Sequence, residues 1–205
     1  MFRTGFIKGK NDLKIDWQDR FAAGKLANAL LSFLPNDFSV PIVFICIGTD
    51  RSTGDSLGPL VGSLVTERNL PGNFYVFGTL DEPIHAINLT EKLDRIESRF
   101  KNPFIIGIDA CLGHSKNVGT IHIKNGSLKP GAGVNKTLPA VGDIHMTGIV
   151  NISGFMEYFV LQNTRLHLVM NLAKTMAEGI YKAGLLYHFE QMSKAQTLSM
   201  NEDTV

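Results

Sequence analysis

The amino-acid sequence predicts an α/β fold, a sandwich of helices around a mostly parallel β-sheet. Two segments, 42–48 and 104–109, are apolar at nearly every position, which is typical of strands that are buried on both faces. Segments in which apolar residues recur at helical spacing lie between the predicted strands. This alternation of strand and helix along the chain favours a parallel sheet with its connecting helices packed on the faces.

The predicted elements follow one another at short intervals. The first half of the chain is predicted to contain a loosely ordered arm (1–15), a peripheral helix (16–34), a strand (42–48), a helix (57–69) and a second strand (73–78). The second half is predicted to contain a helix (84–100), strands (104–109 and 119–124), an irregular stretch (125–148), a short helix (154–162), a last strand (165–169) and a C-terminal helix (171–187). We predict a single domain over 1–205, in which residues 1–40 form an arm and a peripheral helix, 41–188 form the core and 189–205 form a polar tail.

The composition argues against several classes of function. Lysine and arginine total 20 against 19 acidic residues, so the net charge of +1 gives no electrostatic reason to expect binding to nucleic acid or to an anionic membrane. No apolar segment has the length of a secretory signal or of a membrane span. The two cysteines, Cys46 and Cys111, are not in a metal-binding spacing. We therefore expect a cytoplasmic protein in which Cys46 is buried and Cys111 is either structural or a reactive thiol.

A polar, glycine-containing loop follows the first core strand, in the segment IGTDRSTGDSLGPLVGSLV (47–65). Asp55 lies in this loop, and Asp109 ends the core strand FIIGID (104–109). Because ligands of parallel sheets bind beyond the carboxyl ends of the strands, we predict that both carboxylates lie at one functional edge. The alternatives are that Asp55 caps the helix that follows it and that Asp109 bonds the amides of a turn.

A second candidate group lies in AVGDIHMTG (140–148), which contains Asp143 and His145. Two carboxylates and one imidazole, supplied by Asp55, Asp109 and His145, suit Zn²⁺ or another first-row ion. Without a metal, two close carboxylates share a proton and act as general acid and base. His145 as an ordinary loop histidine is the remaining alternative.

These residues carry a family resemblance. The segment IGTDRSTGDSLGPLVG (47–62) resembles the glycine-rich loop and acidic residue of hydrogenase maturation peptidases and of bacterial spore germination proteases. The segment IIGIDACLGHSKNVGTIHIKNGSLKPGAGVNK (105–136) is similar to a strand end, a second strand and a glycine-rich loop of the germination proteases. Over residues 41–188, the order and spacing of these motifs resemble the YyaC family of sporulation proteins, a spore-protease-like group.

The resemblance implies a three-layer α/β/α sandwich with a five-stranded, mostly parallel sheet. It also implies that Asp55 and Asp109 are the catalytic acids, and that Asp55, Asp109 and His145 are ligands of a divalent metal, zinc or nickel. The chain departs from both relatives at Thr49-Asp50, where they have a loop start of the Gly-Asn type.

The same resemblance implies a substrate-binding role for the loop that contains Gly131, Gly133 and Asn135. Its backbone amides would bind a substrate carbonyl or a developing oxyanion. The leading hypothesis is therefore a peptidase-like hydrolase of sporulating or germinating cells, acting on a peptide or protein. The other hypotheses are a non-catalytic binding or regulatory protein, and a hydrolase of a small amide or nucleoside.

Overall fold

A computed structural model describes the backbone of residues 12–131 and 138–202 and the side chains of residues 12–131 and 138–196. Six strands lie in this part of the chain: β1 (Leu13–Asp16), β2 (Ile42–Cys46), β3 (Phe74–Phe77), β4 (Phe104–Gly113), β5 (Thr120–Asn125) and β6 (Ile144–Ile152). Five α-helices accompany them: α1 (Ala22–Phe33), α2 (Leu57–Thr66), α3 (Leu89–Arg99), α4 (Glu157–Gln162) and α5 (Leu166–Glu202). None of the described helices combines the length and hydropathy that crossing a membrane requires.

The strands form one mixed sheet in the order β1-β5-β6-β4-β2-β3. The four strands β6, β4, β2 and β3 are parallel, whereas β5 pairs antiparallel with β6 and β1 pairs antiparallel with β5. The carboxyl ends of the four parallel strands therefore lie at one edge, as the α/β pattern predicts.

Helices cover both faces of the sheet, so the predicted three-layer α/β/α sandwich is confirmed. Helices α1, α2 and α5 pack on one face, where alternate residues such as Phe44, Ile106 and Met146 form the larger core. Helix α3 packs on the other face, where the intervening residues Ile45 and Ile105 form a smaller core. Strand β2 contributes to both cores and is buried at all five positions, which explains its uninterrupted apolar sequence.

The described residues form six strands where five were predicted, and three segments differ from their predicted secondary structure. The irregular stretch predicted at 125–148 contains the start of β6, so His145 lies in a strand and not in a loop. Residues 166–169 of the strand predicted at 165–169 form the first turn of α5, which extends to Glu202, into the segment predicted as a polar tail. Part of the predicted N-terminal arm is β1, which pairs with β5 at the sheet edge.

Candidate active site

Asp55 is held by a loop that folds back on the end of β2. The Gly48 amide donates to the Ile84 carbonyl (2.8 Å), and the Thr49 amide donates to the Asp55 carbonyl (3.1 Å). Gly48 has φ of +149°, and a Cβ there would overlap the Asp55 carbonyl oxygen. The position therefore requires glycine, because both the backbone angle and the close return of the chain exclude a side chain.

The helix-capping alternative for Asp55 is wrong. Residues Gly54–Ser56 form a single 3-10 turn that leads into α2, and neither helical segment has a side-chain capping hydrogen bond. The Asp55 carboxyl group is half-buried, and burial raises its pKa, an effect that the Ser52 hydroxyl partly offsets. The loop thus places an acid of raised pKa at the carboxyl edge of the sheet.

Asp109 lies on β4 at the point where β2 ends. Cys46, the last residue of β2, pairs with Ile108. Asp109 is therefore the first residue of β4 that lies beyond the end of β2. On the other side Asp109 pairs with Thr147 of β6. Its Oδ1 atom accepts the backbone N–H of Ala110 at 2.8 Å. Asp109 is therefore flanked by β6 but not by β2, and the residue is half-buried.

Asp55 lies close enough to Asp109 to act on it electrostatically. Burial, opposed by the hydrogen bond from Ala110 and supported by a smaller effect of the Asp55 charge, raises the pKa of Asp109 to about 8. At neutral pH Asp109 therefore holds a proton, chiefly because burial disfavours its charged form. The residues of the pair come from separate segments, 54 positions apart in the sequence.

Ser52 was not identified from the sequence. It is 8% exposed, and its hydroxyl forms no well-formed hydrogen bond although it lies next to the Asp55 carboxyl group. A buried hydroxyl without a well-formed partner is unusual in a folded protein. It leaves a donor beside the carboxylate pair.

His145 is turned away from the pair. It lies on β6 opposite Gly107, two residues before the partner of Asp109. Its Nδ1 atom is 2.8 Å from the Gly126 carbonyl oxygen, which lies beyond the end of β5, on the side of β6 away from β4. Because a carbonyl oxygen only accepts, Nδ1 carries the proton in this hydrogen bond.

The three-ligand metal centre predicted from Asp55, Asp109 and His145 is not assembled. Among the described residues, no group of three or more His, Cys, Asp or Glu side chains is arranged to hold a metal ion. The physical reason is the hydrogen bond to Gly126, which directs the imidazole away from β4. The donor set seen here does not fit a three-ligand zinc or nickel site.

Asp143 has a structural role far from the pair. Its Oδ2 atom accepts the Ile105 N–H at 2.8 Å, near the start of β4 and four residues before Asp109. Burial raises its pKa, which the hydrogen bond from Ile105 opposes. Asp143 therefore joins the starts of β4 and β6.

The predicted substrate loop lies only partly within the described residues. Gly131 has φ of +93°, whereas Gly133 and Asn135 lie outside the described residues. The base of the loop is closed by paired hydrogen bonds between Leu128 and Val141, each 2.8 Å long. Both residues pack over Gly107, which lies two residues before Asp109 in β4. A Cβ on Gly107 would be 3.0 Å from the Val141 carbonyl oxygen. The role of the loop amides stays a prediction.

The two cysteines have different environments. Cys46 is fully buried in the larger core, as predicted, and burial raises the pKa of its thiol. Cys111 is half-buried, two residues after Asp109, and its Sγ donates to the Leu112 carbonyl oxygen at 3.2 Å. Burial and the charge of Asp109 raise the pKa of Cys111. A thiol with a raised pKa is a poor nucleophile at neutral pH, which favours a structural role.

The chain matches one family profile and is similar to one known protein sequence and one solved structure. The sequence profile of the family described as "Protein of unknown function (DUF1256)" matches residues 14–179. The uncharacterized protein YyaC of Bacillus subtilis (strain 168) is 57% identical over 162 residues, which cover 79% of this chain and 78% of that protein. The crystal structure of a [NiFe] hydrogenase maturation protease, HycI from Thermococcus kodakarensis KOD1, superposes with a TM-score of 0.48 at 17% identity and covers 70% of this chain and 92% of that one.

Proposed function

The chain belongs to the DUF1256 family, and we propose that it is a peptidase-like hydrolase that uses Asp55 and Asp109 as a metal-free acid–base pair. The observation that carries this proposal is the pKa of Asp109, which is raised to about 8 at the level where β2 ends and to which the charge of Asp55 contributes. Titratable groups with strongly shifted pKa values at such an edge are typical of catalytic sites.

The different environments of the two acids assign them different roles. Asp109 is the more strongly perturbed and holds the proton at neutral pH, so it serves as the general acid. The effect of burial on the pKa of Asp55 is partly offset by the neighbouring Ser52 hydroxyl, so we assign Asp55 the role of general base. A pair of carboxyl groups whose environments separate their pKa values is the pattern found in acid–base hydrolases.

The proposed reaction is the attack of water on a peptide carbonyl. Asp55 removes one proton from the water as its oxygen forms the new bond to the carbonyl carbon. Asp109 gives its proton to the nitrogen of the departing amine as the C–N bond breaks. The proton taken by Asp55 then returns to Asp109, directly or through water, so that each turnover consumes one water and restores the pair.

The identity of the substrate as a peptide rests on the sequence resemblance. Residues 47–62 and 105–136, which place Asp55 and Asp109, are the segments that resemble the germination proteases. A role in sporulating or germinating cells, with a spore protein as substrate, is part of this proposal and rests on the same resemblance. Because the described side chains do not form a three-ligand metal site, the proposed reaction uses the two carboxyl groups alone.

Digestion of a proteome-derived peptide mixture tests the proposal. The wild-type chain is compared with Asp55→Asn and Asp109→Asn, and with Asp94→Asn as a matched control on the exposed surface of α3. We expect each of the first two substitutions to lower cleavage by at least about 100-fold, the usual contribution of a general acid or base, while the control cleaves normally. Activity should persist in a metal chelator.

Two results would refute the proposal. Cleavage that survives both Asp55→Asn and Asp109→Asn would place the reaction elsewhere. Absence of cleavage by the folded wild-type chain, together with specific peptide capture, would instead support a binding protein of the same fold.

A further inference from the structure

An apolar surface projects from the segment between β6 and α4. It consists of Ile152, Phe155, Met156, Tyr158 and Phe159, which we call the apolar ledge. All five side chains are at least half exposed, and Phe155 is 90% exposed. A surface that gathers so many large apolar side chains in eight residues is typical of a binding site.

The backbone holds the ledge in place although its side chains are exposed. The Ser153 amide donates to the Gly113 carbonyl at 2.9 Å, which ties the segment to the end of β4. The Asn151 side chain donates to the Val160 carbonyl at 3.3 Å and to the Thr164 hydroxyl at 3.2 Å. The apolar side chains therefore extend from a fixed frame, which lowers the entropic cost of binding a ligand.

One residue of the ledge has an unfavourable backbone conformation. Met156 has φ of +58°, in the left-handed region that non-glycine residues rarely occupy. It directly precedes α4, and its conformation turns the chain so that Phe155 projects into solvent. Such strain persists only where the surrounding structure enforces it, and it is concentrated at functional sites.

Two residues of the ledge, Tyr158 and Phe159, belong to the helix α4 that lies next to the Asp55 turn. Helix α4 packs on the turn that carries Asp55, and a Cβ on Gly54 would be 2.7 Å from Leu161 Cδ2. Glu157, at the start of α4, acts electrostatically on Cys111, two residues from Asp109. A peptide whose scissile bond lies at the pair would therefore extend over the neighbouring ledge.

A cavity of about 490 Å³ provides room for a side chain at this place. Its walls include the apolar side chains of Phe155, Met156, Phe159 and Val160, and the polar side chains of Asn151 and Asn163. Apolar walls with a few amide groups at the rim are typical of pockets that bind a ligand of mixed character, such as an aromatic or aliphatic residue with its peptide backbone.

We propose that the apolar ledge is the specificity pocket of the carboxylate pair, and that it binds an aromatic or large aliphatic side chain of a peptide close to the scissile bond. This inference rests on the proposed function and names its substrate class: extended peptides with a large apolar residue. A polar peptide lacks the apolar area that the ledge buries.

Binding of synthetic peptides to an uncleaving protein tests the ledge separately from catalysis. Fluorescein-labelled ten-residue peptides of glycine, serine and alanine, with Phe, Leu or Ser at the central position, are titrated with Asp109→Asn protein. Phe155→Ser and Phe159→Ser are each introduced into this background. The matched control is Phe189→Ser, which removes a 69% exposed phenylalanine from α5, about 35 Å along the helix from its start at Leu166.

We expect the Phe and Leu peptides to bind at least about tenfold more tightly than the Ser peptide. Phe155→Ser and Phe159→Ser should each remove most of this preference, and Phe189→Ser should leave it unchanged. Phe155 is almost fully exposed, so its replacement does not disturb the core, and circular dichroism verifies the fold of each variant.

The outcomes separate the ledge from the proposed reaction. Selective binding that is lost in the ledge variants supports the ledge even when the wild-type chain cleaves none of the peptides. The specificity role of the ledge is refuted if the wild-type chain cleaves peptides without preference for an apolar residue, or if all three peptides bind equally. Neither result contradicts the proposed hydrolase activity. A dimer that becomes a monomer in Phe155→Ser, measured by light scattering, would also overturn it, because a second copy would then be the occupant.

Discussion

Replacing Asp109 with asparagine should stabilise the protein at neutral pH while removing its proposed general acid. In the native protein burial raises the pKa of Asp109 to about 8, whereas an aspartate in an unfolded chain has a pKa of about 3.9. Between these two values the native state holds a proton that the unfolded chain has released. The free energy of unfolding therefore falls as the pH rises from about 4 to about 8, and it is independent of this group above that range.

The magnitude follows from the size of the pKa difference. A pH of 7 lies about three units above the pKa of the carboxyl group in the unfolded chain, and each unit corresponds to about 1.4 kcal/mol. The buried carboxyl group therefore lowers the free energy of unfolding at pH 7 by at most about 4 kcal/mol. Because the group is only half-buried and solvent screens part of this effect, we expect Asp109→Asn to raise the free energy of unfolding by about 2 kcal/mol. Asparagine keeps the oxygen that accepts the Ala110 amide.

Urea denaturation at about pH 5, 7 and 8.5 measures this prediction. The gain in Asp109→Asn should be small at pH 5 and should approach its full value near pH 8, so the variant should show a flatter pH dependence than the wild-type chain. Asp94→Asn, on the exposed surface of α3, should change neither the free energy of unfolding nor its pH dependence. A variant that is less stable than the wild-type chain at pH 8.5, with the same pH dependence, would refute the reasoning, because it would show that the native carboxyl group is ionised.

Two further predictions concern packing and the thiols. Gly54→Ala should cost about 1–3 kcal/mol of stability and should also lower activity, because its Cβ would lie 2.7 Å from Leu161 Cδ2 and 2.9 Å from the Leu161 carbonyl oxygen and would push α4 off the Asp55 turn. No atom lies within 4 Å of the Cβ position of Gly24 in α1, so Gly24→Ala should instead stabilise the protein by about 0.5–1 kcal/mol. Thermal unfolding of both variants measures these changes, and equal changes in stability would contradict the packing argument. A maleimide titration of the native chain should label Cys111 slowly at pH 7 and leave Cys46 unlabelled until the protein unfolds, because burial raises the pKa of both thiols and Cys46 is also inaccessible. Rapid labelling of two thiols per native chain would contradict it.

The sequence was sufficient to predict the parallel strands and the edge at which they end. Strands β2 and β4 could be identified because burial on both faces requires apolar residues at nearly every position. Strand β6 was missed because His145, Thr147, Gly148 and Asn151 interrupt its apolar pattern; the strand passes beside the polar site and does not lie wholly in the core. The start of α5 was assigned to a strand because a short apolar run fits either period.

The candidate site was predictable where it depends on topology and not where it depends on side-chain direction. Asp55 follows the end of β2, and Asp109 lies on β4 at the level where β2 ends, so the order of the parallel strands brings both to one edge. The direction of the His145 ring depends on a hydrogen bond to Gly126, a residue 19 positions earlier, which no spacing in the sequence indicates. The exposure of the Phe155 segment also depends on tertiary structure, because its aromatic residues equally suit a buried helix.

In the proposed mechanism, Asp55 and Asp109 form a pair that holds one proton at neutral pH. Carbon-13 NMR of protein labelled at the aspartate carboxyl carbons, titrated from about pH 4 to pH 9.5, measures it directly. We predict one carboxyl resonance that titrates near pH 8, disappears in Asp109→Asn and titrates at a lower pH in Asp55→Asn, because the charge of Asp55 raises the pKa of Asp109. If every aspartate of the native protein titrates below about pH 5, both carboxyl groups are ionised at neutral pH, and the acid–base pair does not exist.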